Sequence, residues 1–209
     1  MPFGRRLGID MDQRNARHAR MSAPYFFGYG SLVNTKTHAY SNAQPARLAG
    51  YKRVWVATDL RPFAFLSAEP DAATSIQGLI AHVPNDDWAA LDQREFAYAR
   101  LPATSAVTHP LPDPLSIAVY SVAPERRASR SEPPKILLSY LDVVIQGYRS
   151  VFGETGVADF FATTHKWGPV LNDRASPAYP RHQRLSAQDT ALVDQFLAAQ
   201  NIPVVPYAP

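Results

Sequence analysis

The segment Phe26-Phe27-Gly28-Tyr29-Gly30-Ser31-Leu32 runs an aromatic stretch into two glycines and a serine, and Leu91-Asp92-Gln93-Arg94-Glu95 later ends in a glutamate. Glycine frees a backbone for positive φ or for close approach to a ligand. Main-chain N–H groups in such a turn point outward and hold an anionic group. Tyr29, Gly30, Ser31 and Leu32 therefore form a candidate cradle, and Glu95 is the candidate proton carrier. On a helix over 86–95, Trp88, Leu91 and Glu95 stand at i, i+3 and i+7 and share one face. Burying Trp88 and Leu91 draws Glu95 inward, and a desolvated carboxylate holds its proton more tightly. Gln93 and Arg94 then lie on the outer, solvated side. Asp92 is the competing acid. The structural alternative for Glu95 is a buried ion pair with Arg53, Arg61 or Arg100.

The elements that would position these groups are mostly strands. Short apolar or alternating runs bounded by Pro, Gly, Asp and Asn predict strands at 25–29, 51–57, 62–66, 75–83, 96–101 and 115–122. Asn85-Asp86-Asp87 is suited to cap the helix that carries Glu95. Residues 123–134 read as a polar, proline-containing loop. A helix follows over 135–152, with Ile136, Leu137, Tyr140, Leu141, Val144, Tyr148 and Val151 near helical spacing. A last helix runs over about 187–200, with Ser186 and Asp189 spaced as a capping box in its aspartate-bearing form. About six strands, concentrated early, with three or four helices read as an α+β fold.

Composition removes several classes of function. The chain has 209 residues, no cysteine and a net charge of +3. Thiolate nucleophiles, disulfides and Cys-type zinc sites are excluded. The six histidines include no i, i+4 pair, which gives no case for a bound metal. Residues 1–24 carry five arginines and two aspartates, so the remaining 185 residues balance sixteen basic against sixteen acidic groups. The basicity belongs to the tail, and no nucleic-acid-binding face is expected on the folded part. No apolar run approaches the ~18 residues of a membrane span, and the N-terminus lacks the apolar core of a secretory signal. Residues 1–22 read as a disordered basic tail, or as an upstream extension if translation starts at Met21. Residues 23–209 read as a single domain in a cytoplasmic protein. The glycine turn is not a dinucleotide fingerprint, because position 33 is valine. Without a Gly-x-Ser-x-Gly context Ser31 is not expected to be a nucleophile.

Phe27-Gly28-Tyr29-Gly30-Ser31-Leu32, the strand Gln77-Gly78-Leu79-Ile80-Ala81-His82-Val83 and Leu91-x-x-Arg94-Glu95 occur in that order. Over residues 25–122 the chain resembles the γ-glutamylcyclotransferase-like family. The resemblance implies a small mixed β-barrel with helices packed around it, a substrate loop at 27–32 and Glu95 as the single catalytic residue. It also implies an enzyme, without cofactor, that releases 5-oxoproline from a small γ-glutamyl peptide or amine, glutathione among the options. The alternative is a non-catalytic or regulatory protein that binds γ-glutamyl or pyroglutamyl ligands on the same fold. A further stretch, Trp167-Gly168-Pro169 through Tyr179-Pro180-Arg181, is stiff and carries both charge and aromatic surface. It is expected to cover the barrel mouth, with Arg174, Tyr179 or Arg181 meeting the substrate's leaving side or carboxylate. Alternatively, Asp173-Arg174 ties the loop to the barrel. Oligomeric state is not legible.

Overall fold

The computed structural model describes residues 22–112 and 114–207. The basic tail of the sequence reading lies almost wholly outside the described residues. The chain builds a seven-stranded sheet from β1 (Ala23–Gly28), β2 (Gln44–Val56), β3 (Phe65–His82), β4 (Tyr98–Pro102), β5 (Val107–Thr108), β6 (Leu115–Val122) and β8 (Thr164–His165). Its order is β4-β6-β1-β3-β2-β5, with β8 also on β2. The fold is α+β, with the sheet curled into a half-barrel. A second sheet of three short parallel strands joins β7 (Ile136–Leu137), β9 (Val170–Asn172) and β10 (Val204–Pro206). Helix α1 (Ala89–Arg94) precedes β4, while α2 (Leu138–Ala162) and α3 (Ala187–Ala199) pack together. Among the described residues no helix is long and apolar enough to cross a membrane.

The central strand is β1, antiparallel to β3 and parallel to β6. Its continuous apolar run suits burial on both faces, and Phe26 and Phe27 are sealed. Where two strands were expected at 62–66 and 75–83, β3 is continuous for 18 residues. The intervening Glu69-Pro70-Asp71 reads as a turn because of its polarity and proline. Pairing with the equally long β2 carries it through instead, and the register shifts between Ala49 and Tyr51, beside the Tyr51–Pro70 pair. A proline that donates no ladder hydrogen bond is best tolerated next to such an irregularity.

Helix α2 begins later and runs further than the periodicity suggested. Ile136 and Leu137 are taken by β7. Beyond Val151 the pattern breaks at Gly153, whose φ of 70° interrupts the helix before Val157, Phe160 and Phe161 bury again. For α3 the reading is met closely: Ser186 accepts from the Asp189 N–H and the Asp189 carboxylate accepts from the Ser186 N–H. The expected cap of α1 is displaced. Trp88 is its N-cap, and Asp87 Oδ1 accepts from the Ala89 N–H at 3.1 Å.

At Gly147, α2 presses against the segment that follows β1. A Cβ there would lie 2.7 Å from Asn34 N and 2.8 Å from Asn34 Cα. Glycine to alanine inside a helix ordinarily gains about 1 kcal/mol. Here the contact is backbone and has nowhere to go. Gly147→Ala is expected to lose about 1–3 kcal/mol in denaturant titration; a gain in stability would refute the close approach.

Candidate active site

The chain leaves β1 at Gly28, passes Tyr29 and Gly30, and makes one 3-10 turn over Ser31–Val33. Neither Gly28 nor Gly30 has a positive φ; both serve close packing. A Cβ on Gly28 would sit 2.5 Å from Leu32 Cβ, and one on Gly30 would sit 2.6 Å from Tyr140 Oη. The turn is fastened at both ends. At its entry the Tyr29 carbonyl accepts from Arg53 Nε at 3.2 Å and from Tyr148 Oη at 3.0 Å. At its exit Asn34 Nδ2 donates to Val143 O at 2.9 Å and Gln146 Oε1 at 3.0 Å, both on α2. Among the described residues no backbone carbonyl accepts from the N–H groups of Gly30, Ser31 or Leu32, and the Ser31 N–H faces the Tyr140 hydroxyl.

Glu95 stands where α1 ends. Its N–H donates to Leu91 O at 2.9 Å, its carbonyl accepts from the Tyr98 N–H at 2.8 Å, and a ψ of 33° turns the chain out of the helix. Leu91 is sealed, and the Glu95 side chain is 15% exposed. Burial pushes the Glu95 carboxyl above the ordinary range, while Arg94, Arg181 and Arg61 partly oppose the shift. The carboxylate lines a cavity of about 30 Å³ together with the 27–32 loop, Leu66, Tyr98, Tyr120 and Tyr140. Sequence reasoning missed Tyr98, Tyr120 and Tyr140, because a tyrosine in a strand or helix carries no signal of the face it will share. Burial first of all raises the phenols of Tyr29, Tyr98, Tyr120 and Tyr140. They remain neutral, and Glu95 is the one carboxyl among the lining residues.

Arg94 corrects the sequence reading. It is not solvated: its side chain is 8% exposed, and Nε meets Glu95 Oε1 at 3.1 Å. Its guanidinium also donates to Ser31 Oγ at 3.2 Å, Thr37 Oγ1 at 3.1 Å and Thr37 O at 3.0 Å. Arg94 is the last helical residue, and its long side chain is drawn to Ser31 and Thr37, partners that spacing along the helix does not register. One arginine thus ties the loop to the acid. The ion-pair partner of Glu95 among the described residues is this neighbour, not Arg53, Arg61 or Arg100. Asp92 stands outside the cavity lining. It accepts from Tyr120 Oη at 2.5 Å, meets Arg100 Nε at 3.5 Å, and its side chain is 44% exposed.

Tyr29, Gly30, Ser31, Leu32 and Glu95 thus share one cavity, whereas Arg174 and Tyr179 do not line it. The Tyr29 hydroxyl faces the sheet interior, donating to Tyr120 O at 2.5 Å and accepting from the Ala68 N–H at 3.1 Å. Arg174 clamps α2 to α3 through Asp142, at 2.8 and 2.7 Å, and Asp194, at 2.7 Å. Asp173, 1% exposed, accepts from the Ser139 and Ala178 N–H groups at 2.7 and 2.9 Å. This pair ties the loop down, the second of the two roles considered. Tyr179 packs edge-on against Tyr140, with ring centroids 5.0 Å apart, and so stands behind the cavity wall.

Residues 26–137, just over half of the chain, match the model of the family described as gamma-glutamyl cyclotransferase, AIG2-like. The chain belongs to that family. No curated protein sequence matches it. Among solved structures, one titled gamma-glutamyl cyclotransferase is 13% identical with a TM-score of 0.51, covering 83% of this chain and 99% of that one. An uncharacterized protein from Homo sapiens is 14% identical with a TM-score of 0.50, covering 81% and 97%. YkqA from Bacillus subtilis is 17% identical with a TM-score of 0.51, covering 73% and 58%. At such identities the likeness is one of fold.

Proposed function

We propose that this chain releases 5-oxoproline from γ-glutamyl compounds, with Glu95 as the single proton carrier. The observation that carries this reading is a burial-raised carboxyl in one cavity with Gly30, Ser31 and Leu32, whose N–H groups meet no backbone carbonyl among the described residues. The substrate brings its own nucleophile. Glu95 takes a proton from the α-ammonium, and the freed nitrogen attacks the γ-carbonyl carbon. The ring closes, and the carboxyl passes the first proton to the amide nitrogen as the C–N bond breaks. The regenerated carboxylate then carries a second proton from the ring nitrogen to the departing amine, which leaves as an ammonium. Atoms balance without water.

The size of the effects supports the assignment. A carboxylate near pKa ~4.3 facing an amine near ~8 is about 5 kcal/mol uphill, at ~1.4 kcal/mol per unit. Every unit by which burial raises Glu95 reduces that gap. Amides pre-aimed at the γ-carbonyl oxygen are each worth up to ~3–4 kcal/mol as charge develops. The neutral Tyr140 hydroxyl, facing the Ser31 N–H, stands in for that oxygen in a cavity of about 30 Å³ that is open to its surroundings. Admission of a γ-glutamyl group displaces it. Chromatographic detection of 5-oxoproline across a panel of γ-glutamyl peptides and amines tests the reading, and no release from any of them would refute it.

Gly30 gives a separate check on the loop. Gly30→Val pushes on the tip of Tyr140, a side chain able to yield, so the expected stability loss is no more than about 1–3 kcal/mol. Binding of 5-oxoproline by calorimetry should disappear. Normal binding by the folded variant would show that the loop is not the cradle.

A further inference from the structure

A groove of about 580 Å³ has Arg61, Phe63, Arg130, Glu132, Lys135 and Tyr207 among its walls. Its two sides are joined where the Ala64 N–H donates to Lys135 O at 2.7 Å and Phe63 pairs with Lys135. Phe63 and Tyr207 meet edge-on at 6.0 Å and give it an aromatic surface. Arg130 is already engaged by Thr58 O and Asp59. Arg61 is not. Among the described residues no acceptor takes a hydrogen bond from its side chain, and its Nε is buried without a partner. The guanidinium carbon lies 3.8 Å from the centre of the Phe65 ring. Phe65 in turn packs edge-on against Tyr98, 5.9 Å away, which lines the Glu95 cavity. Arg61 is also one of the cations felt by Glu95. It therefore belongs to the groove wall and is linked to the cavity through Phe65 and Tyr98, with donors unengaged.

A buried donor without an acceptor is costly unless a ligand supplies one. A planar guanidinium fixed on an aromatic ring presents a fork that matches a carboxylate. In a γ-glutamyl amino acid the leaving nitrogen and its carboxylate are separated by one carbon, so an acid group emerges beside the bond that breaks. We infer that Arg61 recognises a carboxylate on the leaving amine, which makes γ-glutamyl amino acids and short peptides the substrates of this chain rather than γ-glutamyl amines lacking an acid. The inference rests on the cyclotransferase reading of Glu95.

The test compares γ-glutamyl-alanine with γ-glutamyl-alaninamide on the full chain, reading kcat/KM for 5-oxoproline release at a pH where both rates are level. The acid-to-amide ratio in the unaltered protein should exceed that in Arg61→Gln by about tenfold to a hundredfold, the worth of one hydrogen bond to a charged group. Arg61→Lys should keep part of the preference. The intrinsic difference between the two leaving amines, any shift in Glu95 and any unfolded fraction cancel in this ratio of ratios. An unchanged ratio in Arg61→Gln, or faster release from the amide by the unaltered protein, overturns the inference and leaves the cyclotransferase reading standing. Release from neither compound nor any other γ-glutamyl substrate overturns the cyclotransferase reading itself.

Discussion

Glu95→Gln is expected to lower kcat at least 10²–10⁴-fold, the usual worth of a general acid–base group, with KM little changed. Glutamine keeps the shape of the side chain and still accepts from Arg94, but it cannot carry a proton. In the unaltered protein kcat should rise with pH as Glu95 ionises, around a midpoint above the ordinary ~4.3. Stability supplies the second readout. Because burial outweighs the cations and raises the folded-state affinity for the proton, this group stabilises the fold below the unfolded carboxylate pKa. That contribution is lost as pH rises through the higher folded value. At neutral pH a neutral glutamine is therefore expected to leave the melting temperature unchanged or raise it. If Glu95 served only as the anion of a structural ion pair with Arg94, the variant would instead lose stability and the folded fraction would keep its activity. Normal turnover by Glu95→Gln with a dead Asp92→Asn would move the proton carrier to Asp92, despite its exposure.

Glu95 was reachable from sequence because Leu91, four residues before it, is sealed, and the Glu95 N–H still closes the last helical bond onto the Leu91 carbonyl. The helix that was expected to run from 86 to 95 nonetheless ends one residue short of it. Arg94 was not reachable. It is the last helical residue, and its direction is set by Ser31 and Thr37, more than fifty positions earlier in the chain. Tyr98, Tyr120 and Tyr140 come from β4, β6 and α2, so only the sheet order brings them together. Strand β1 and the cap of α3 were legible because each depends on neighbouring residues alone. The continuity of β3 depends on its long partner β2, and single-sequence turn signals at Pro70 point the other way. Arg174 was misleading for a related reason: a charged residue in a stiff loop looks available until Asp142 and Asp194 arrive from two helices to engage it.

Arg53 is the harder case, and its removal is expected to cost the most stability. It is fully buried, and among the described residues it makes no ion pair. Its guanidinium donates instead to Tyr29 O at 3.2 Å, Thr163 Oγ1 at 2.5 Å, Tyr148 Oη at 2.5 Å and Gln77 O, and it stacks 5.0 Å from the Tyr148 and Phe160 rings. Strands β1 and β3 and helix α2 all converge on this one cation, and the Tyr29 carbonyl is where the candidate cradle begins. Arg53→Met keeps the apolar stem and removes the fork. The Tyr148 hydroxyl has a single proton and cannot serve both Tyr29 O and Gln77 O, so one buried carbonyl is left unpaired. With the lost charge-assisted bonds and the void, a loss of about 3–5 kcal/mol is expected. For a chain of this size that is a fall of roughly 6–20 °C in Tm. Arg53→Lys should not restore it, since an ammonium is a compact charge that cannot span acceptors held in a fixed planar fork. A buried charge without a counter-ion also carries a large desolvation cost, which an apolar side chain avoids. If Arg53→Met proved as stable as the unaltered protein, desolvation of the guanidinium would outweigh its hydrogen bonds, and the loop would owe its position to Asn34 and Arg94 instead.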